Sequence, residues 1–222
     1  MAKKAERLGV DIRMNTKVTP EMIEEIKPHT VMNAIGAESI IPPIPGVDKA
    51  FVKDSHDVLD GKAEVTGNVV VIGGGMVGME TAEYLAEKGA KVSVLEMLPD
   101  ICSDMGTTRK ICMGEEIQKS GIIPVTSVKV TEIGDNVVIG EKDGEKVEFP
   151  CDAAVLAIGA KKRDGSALAE TCYKNGIGYF EIGDAAMARR AINATREAMD
   201  AALTFDREDV HRDVSKPKSL YL

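Results

Sequence analysis

Between residues 68 and 96 the chain reads NVVVIGGGMVGMETAEYLAEKGAKVSVLE, and this stretch leaves little freedom over what the rest can become. An apolar run over 69–72 enters Gly73-Gly74-Gly75-Met76-Val77-Gly78 without a break. A helix-periodic segment follows, ends at Lys88-Gly89, and gives way to a second apolar run closed by Glu96. That order is strand, glycine turn, helix, strand, the unit that holds a dinucleotide. Gly73 permits a tight exit from the strand, Gly75 leaves room for a pyrophosphate, and Gly78 lets the helix come close to the sheet. The N–H groups of the first helical turn, where Met76 and Val77 stand, then face the phosphates with the positive end of the helix dipole behind them.

Glu96 stands 23 positions after Gly73, at the end of the second strand. A carboxylate there accepts both hydroxyls of an adenosine ribose and repels a 2′-phosphate. Met97 and Leu98 offer no positive charge to answer that phosphate, so the expected ligand is NADH rather than NADPH.

Composition narrows the partners. With 36 acidic against 28 basic residues the net charge is −8, the wrong sign for a nucleic-acid binder. An anionic cofactor therefore has to be held by backbone N–H groups and helix dipoles. The absence of tryptophan removes an aromatic platform for single strands. Cys102, Cys112, Cys151 and Cys172 show neither C-x-x-C nor a zinc spacing, which reads as free thiols in a reducing, cytoplasmic setting with no metal site. His29, His56 and His211 stand apart, with no carboxylate or cysteine at ligand spacing. No apolar run reaches the length of a membrane span, and Met1-Ala2-Lys3-Lys4 opens a charged helix rather than a secretion signal.

Around the organising unit, residues 2–8 read as a helix stopped by Gly9, and 10–14 with 17–19 as a strand. Residues 20–26 read as a short helix with Thr19 as cap and Pro20 first. Residues 31–37 read as a strand entering a glycine turn. Ile41-Pro42-Pro43-Ile44-Pro45-Gly46 fits neither ladder nor helix interior and reads as a stiff crossing between lobes. His56 and Asp57, beyond it, are placed on a wet loop. After Glu96 come a loop over 99–106, a helix over 107–119 ended by Gly121, and strands over 122–130, 136–141, 146–149 and 153–158. Asp143-Gly144 is a hairpin turn between the middle two.

Two of these stretches repeat. ERLGVDIRMNTKVT (6–19) over QKSGIIPVTSVKVT (118–131) sets Gly9 on Gly121 and Lys17-Val18-Thr19 on Lys129-Val130-Thr131. VMNAIGA (31–37) matches AVLAIGA (154–160), the second copy being lengthened by its hairpin. The repeat implies two copies of one nucleotide-binding lobe. No glycine turn precedes Ala2, so the first copy is expected to lack its opening strand, turn and helix.

In order and spacing these motifs resemble the C-terminal part of the flavin-dependent pyridine-nucleotide oxidoreductases, and most closely the 2,4-dienoyl-CoA reductase, enoate reductase and trimethylamine dehydrogenase group. The likeness rests on AIGA (34–37), IPPIPGVD (41–48), the whole of 69–96, VLAIGA (155–160) and FEIGDA (180–185), and covers nearly the whole chain. It implies an α/β fold in which a three-layer, Rossmann-like NAD(H) lobe with a small antiparallel hairpin or meander, residues 65–160, is nested in part of a second Rossmann-like lobe. That second lobe, of FAD type, takes residues 1–45 and 161–222, with 46–64 as a linker. The resemblance places Ala157 and Gly159 beside NAD, and Ala34 and Gly36 beside FAD. Gly183 would let the backbone near the flavin nucleotide, and Asp184 would accept a hydrogen bond from its ribityl or pyrophosphate region, ahead of a helix over 191–205. Full-length members also carry an N-terminal flavin barrel and an iron–sulfur region, and these are the expected partners in a parent chain.

The expected function is the electron-input module of an NADH-dependent flavin oxidoreductase of enoate or dienoyl-CoA reductase type, passing hydride from NADH to FAD in the full-length enzyme. These 222 residues by themselves are expected to hold FAD poorly, to be a weak catalyst, and to dimerise through uncovered apolar surface. No residue reads as a catalytic acid, base or nucleophile, which suits direct hydride transfer. Glu80, Arg189, Arg190 and Lys161-Lys162-Arg163 are further candidates for the nucleotide's surroundings. Two rival readings stand: a stand-alone NAD-dependent dehydrogenase, for which no Tyr/Lys or His proton relay is found, and a non-catalytic NAD(H)-binding sensing or interaction domain.

Overall fold

The structure, a computed structural model, describes residues 2–103 and 105–205. The chain divides into an outer unit, Met1–Ala37 with Lys162–Leu222, and a central unit, Glu38–Lys161. The outer unit opens with α1 (Ala2–Arg7), α2 (Pro20–Ile26) and β1 (Thr30–Asn33), and β2 (Ala37–Ser39) leads out of it. The central unit then runs β3 (Val52–Asp54), α3 (Ser55–Leu59), β4 (Asn68–Ile72), α4 (Met76–Glu87), β5 (Lys91–Leu95), α5 (Thr107–Ser120) and β6 (Ile123–Val125). It continues through β7 (Lys129–Ile133), β8 (Val137–Lys142), β9 (Glu145–Pro150), β10 (Ala153–Leu156) and β11 (Ala160–Lys162), the last leading back to the outer unit. There the chain finishes with α6 (Ser166–Lys174), β12 (Gly178–Glu181), a 3-10 turn at Gly183–Ala185 and α7 (Ala191–Thr204).

The central sheet has five parallel strands in the order β3-β10-β4-β5-β6. Its register sets Leu156 beside Ile72 and Ile72 beside Leu95, so the next residues, Ala157, Gly73 and Glu96, emerge in one row at the carboxyl end of the sheet. In parallel α/β sheets ligands bind outside that end. β4 is apolar at every position but its first because both its faces are covered. Val69 and Val71 pack with Met79, Ala82 and Leu85 of α4, while Val70 and Ile72 pack with Val128, Ile133 and Val138. Helices thus form one layer, the parallel sheet the second and the antiparallel meander β7-β8-β9 the third. The β8–β9 turn places Asp143 at φ +54 and Gly144 at φ +82, the paired positive values a two-residue hairpin demands.

The outer unit pairs β1 with β12 in parallel, and Ile23 of α2, Cys172 of α6 and Ile177 form its small core. Thr19 caps α2 by accepting from the Met22 N–H.

Several expectations need correction. Residues 10–14 and 17–19 make no strand: the chain bends at Met14–Asn15, and Val10, Ile12, Met14 and Val18 stay exposed. The counterpart stretch, β6, is paired with β5, and among the described residues the outer sheet holds only β1 and β12, with no strand in the place of β5. Residues 46–64 are no linker. β3 extends the parallel sheet beside β10, and α3, capped by Asp54, carries His56 and Asp57 on a helix rather than a loop. The proline run lies in no strand or helix, as expected; Pro45 O accepts from Ile133 N at 2.8 Å, and Ile44 and Val47 join the meander side of the core. The strand expected over 122–130 is broken into β6 and β7 by Ser127, whose φ is +59.

Candidate functional site

The turn between β4 and α4 is built by three constrained glycines and one unconstrained. Gly73 has φ +110, and a Cβ on it would lie 2.5 Å from Ala157 O. A Cβ on Gly78 would lie 1.9 Å from Gly73 O, so only glycine lets the first turn of α4 sit this close to the strand end. At Gly74 a Cβ would press within 2.9 Å of both Glu96 and Ile101. Gly75, exposed and with φ −74 and ψ −176, is different: a Cβ there would meet no atom of the described residues. It is also the N-cap of α4 and makes no side-chain cap, so the helix leaves the N–H groups of Met76, Val77 and Gly78 without an intrahelical carbonyl.

Glu96 does more than close β5. Its carboxylate accepts Gly74 N–H at 2.6 Å through Oε2 and Leu98 N–H at 2.8 Å through Oε1. Gly74 O in turn accepts Cys102 N–H at 2.8 Å. Both peptide groups of Gly74 are therefore tied to the segment after β5. Gly74, expected with its neighbours in 73–78 to border the cofactor, thus has its own N–H on Glu96. Sequence reasoning missed Ile101 and Cys102 because a loop without periodicity gives no sign of which neighbour it touches. Ala157 closes the far side of the turn, its N–H bonded to Ile72 O at 2.8 Å, and Gly159 follows with φ +106. Glu80 lies exposed on α4.

In the outer unit the expected residues lie at two strand ends. Gly36, after β1, has φ +76 and open space where a Cβ would be, with Ala34 two residues before it. Gly183, after β12, has φ +61, and a Cβ would come within 3.0 Å of Ala194. Its N–H is held at 2.8 Å by Glu197, which also pairs with the Arg189 guanidinium. Glu197 was not legible, since fourteen residues of turn and helix separate it from Gly183. Asp184 is exposed and accepts Arg189 N–H at 3.1 Å through one oxygen. Arg189 is thus neutralised within the unit rather than left for a phosphate. Lys162 pairs with Glu181 at 3.0 Å and Lys161 with Glu38 at 3.2 Å, while Arg163 donates to Ala37 O.

His56 contacts Ser39 and Asp54, His29 stacks edge-on to Phe205, and His211 lies outside the described residues. No group of three or more His, Cys, Asp or Glu among the described residues could hold a metal ion. Cys151 is buried, and desolvation followed by the Asp152 charge pushes its thiol up to about 11; burial raises Cys172 in the same direction. Among the described residues no helix is long and apolar enough to cross a membrane.

A glycine turn, an open helix N-terminus and a strand-end carboxylate in one row on a parallel sheet define a Rossmann-like dinucleotide-binding fold. The chain belongs to the pyridine nucleotide-disulphide oxidoreductase family, whose profile matches residues 21–187. Members of that family are NAD(P)H-dependent flavoprotein oxidoreductases that bind NAD(P)H and FAD. A bilirubin reductase of Mediterraneibacter gnavus is 41% identical over 161 residues, 72% of this chain and 25% of that protein. An NADH oxidase of Thermoanaerobacter brockii is 39% identical over 201 residues, 88% of this chain and 31% of that protein. Among solved structures, a 2-naphthoyl-CoA reductase in complex with 2-naphthoyl-CoA superposes with a TM-score of 0.83 at 28% identity, covering 91% of this chain and 31% of that one. The chain spans about a third or less of the length of these relatives.

Proposed function

We propose that the central unit binds NADH at residues 73–78, and that the chain is the electron-input part of a longer NADH-dependent flavin oxidoreductase of enoate or dienoyl-CoA reductase type. The observation carrying this reading is Gly75. The fold's own packing explains Gly73, Gly74 and Gly78, but nothing among the described residues needs the missing side chain at Gly75; a pyrophosphate lying against the helix start does. Gly75, Met76 and Val77 would offer it their N–H groups, with Ala157 and Gly159 bordering the cofactor on the side of β10. Glu96 keeps unused lone pairs for the ribose hydroxyls, which supports NADH over NADPH. Relatives that are a bilirubin reductase and an NADH oxidase support a reductase taking electrons from this nucleotide.

When bound, the two cofactors supply hydride chemistry, nicotinamide C4 giving and flavin N5 receiving. The chain's own part is to bind and orient. The helix start grips the diphosphate and Glu96 fixes the adenosine end, so the nicotinamide's position follows from rigid elements rather than from a loop. On the flavin side Ala34, Gly36, Gly183 and Asp184 fit their assigned role in kind: both strand ends carry a glycine at positive φ, Gly36 has open space beside it, and Asp184 has a carboxylate oxygen beyond the one that Arg189 N–H uses. The rest of the flavin site, together with the barrel and cluster that select the final acceptor, is proposed to come from the longer parent chain.

Titration with NADH and NADPH, with and without added FAD, tests the proposal. NADH is expected to bind at least ~10-fold tighter than NADPH, or ~1.4 kcal/mol. Equal affinities would remove Glu96 from the ribose, and no binding of either nucleotide would overturn the assignment of residues 73–78.

A further inference from the structure

We infer that Glu96 is a positioning residue for the phosphate-binding turn, so that cofactor preference cannot be transferred to NADPH by changing Glu96 alone. The inference rests on the NADH reading above and starts from geometry that exists without a nucleotide. Oε2 holds Gly74 N–H at 2.6 Å and Oε1 holds Leu98 N–H at 2.8 Å, so the carboxylate bridges the glycine turn and the segment that follows β5. Among the described residues Glu96 is the partner that holds the Gly74 N–H. Its N–H points at Glu96, its carbonyl accepts from Cys102, and the lack of a side chain leaves only the backbone to hold it. The peptide of Gly74 in turn sets where Gly75 and the start of α4 present their donors.

Two consequences follow. First, a carboxylate pinned at both oxygens cannot swing aside for a 2′-phosphate, so discrimination against NADPH is rigid. Second, every substitution at Glu96 disturbs the turn that grips the diphosphate common to both nucleotides. Glutamine keeps the shape and one acceptor, but its amide N–H₂ would confront one of the two N–H donors and leave that donor without an acceptor. Alanine removes both acceptors. A residue that only read the ribose would behave differently, because its removal would relieve the phosphate and raise NADPH affinity.

The test measures Glu96→Gln and Glu96→Ala against the unaltered chain in two ways. Hydrogen exchange at the Gly74 and Leu98 amides is followed by NMR without nucleotide, and NADH and NADPH are titrated by nicotinamide fluorescence. Exchange is expected to quicken at least ~10-fold at both amides in Glu96→Ala and at one of the two in Glu96→Gln, with NADH and NADPH each binding at least ~5-fold more weakly than to the unaltered chain. Unchanged exchange at both amides, or NADPH binding tighter than to the unaltered chain, would overturn the positioning role. The isosteric Glu96→Gln keeps the test decisive if Glu96→Ala does not fold. Failure of the unaltered chain to bind either nucleotide would sink the NADH reading, while the exchange measurement still judges the Glu96 bridge by itself.

Discussion

Substituting alanine at Gly75 and at Gly78 separates what the fold requires from what the ligand requires. At Gly78 the added methyl would lie 1.9 Å from Gly73 O, so α4 must move outward by about 1 Å across a packed sheet. Met79, Ala82 and Leu85, all fully buried, ride on that helix and would lose contact with Val69 and Val71. Overpacking of this kind costs about 3 kcal/mol. At Gly75 the methyl meets none of the described residues, and φ −74 with ψ −176 is ordinary extended backbone. Alanine is a poorer N-cap than glycine by up to about 1 kcal/mol, an amount offset by the lower entropy of the unfolded chain, so stability should change by less than about 1 kcal/mol. The same methyl would stand where the diphosphate approaches and would cost one charge-assisted hydrogen bond, about 2 kcal/mol or roughly 30-fold in NADH affinity. Urea denaturation and fluorescence titration of both variants read the two effects separately. If Gly75→Ala bound NADH within about threefold of the unaltered chain, or lost more than about 2 kcal/mol of stability, the assignment of that open position to a ligand would be wrong.

Other predictions concern groups away from the turn. The carboxyl of Glu83 on α4 is held above its ordinary value of 4.5, first by desolvation and then by Glu116, Glu80 and Glu87. A raised carboxyl favours the fold while protonated, so its contribution is full below 4.5 and is lost as the pH climbs through the raised value; Glu83→Gln should therefore stabilise the chain at pH 7 but not at pH 4, as read by urea midpoints at the two values. Cys151 and Cys172, buried and with raised thiol values, should resist a disulfide reagent at pH 8 in the native state and react once urea unfolds the chain; quick native modification at either site would contradict their placement. Glu197→Ala strips a partner from Gly183 N–H and leaves Arg189 unpaired, and should destabilise the chain by about 1–3 kcal/mol, whereas breaking the exposed Lys49–Asp135 pair with Lys49→Ala should change it by less than about 1 kcal/mol.

Much of the central unit could be read from residues alone, because its signals are local. An apolar run, a glycine spacing and a strand-end acid lie within thirty residues, and each constrains the next. The Asp143-Gly144 turn is equally self-contained. What could not be read were bonds made across sequence distance. Cys102 reaching Gly74, Pro45 reaching Ile133 and Glu197 reaching Gly183 each have a loop or turn residue at one end at least, where no periodicity points to a partner. β3 escaped for another reason. It is three residues long at a sheet edge, too short to show the alternation or the apolar run by which a strand is recognised.

The internal repeat shows how far a pattern can carry without its neighbours. The second halves of the two copies fold alike: β1 and β10 each run into Ala-Ile-Gly, and Gly36 and Gly159 both take positive φ. The first halves diverge despite matching residues. Ile123–Val125 forms β6 because β5 lies beside it and takes its hydrogen bonds. The counterpart over 10–14 has the same glycine before it and a comparable apolar alternation, yet makes no strand, and Val10, Ile12 and Met14 remain exposed. Strand propensity amounts to fit against a neighbouring strand and a covered face, and it has no effect where neither is present. The resemblance between copies was therefore a sound guide to backbone turns, which glycine settles locally, and a poor guide to ladders, which only a second strand can complete.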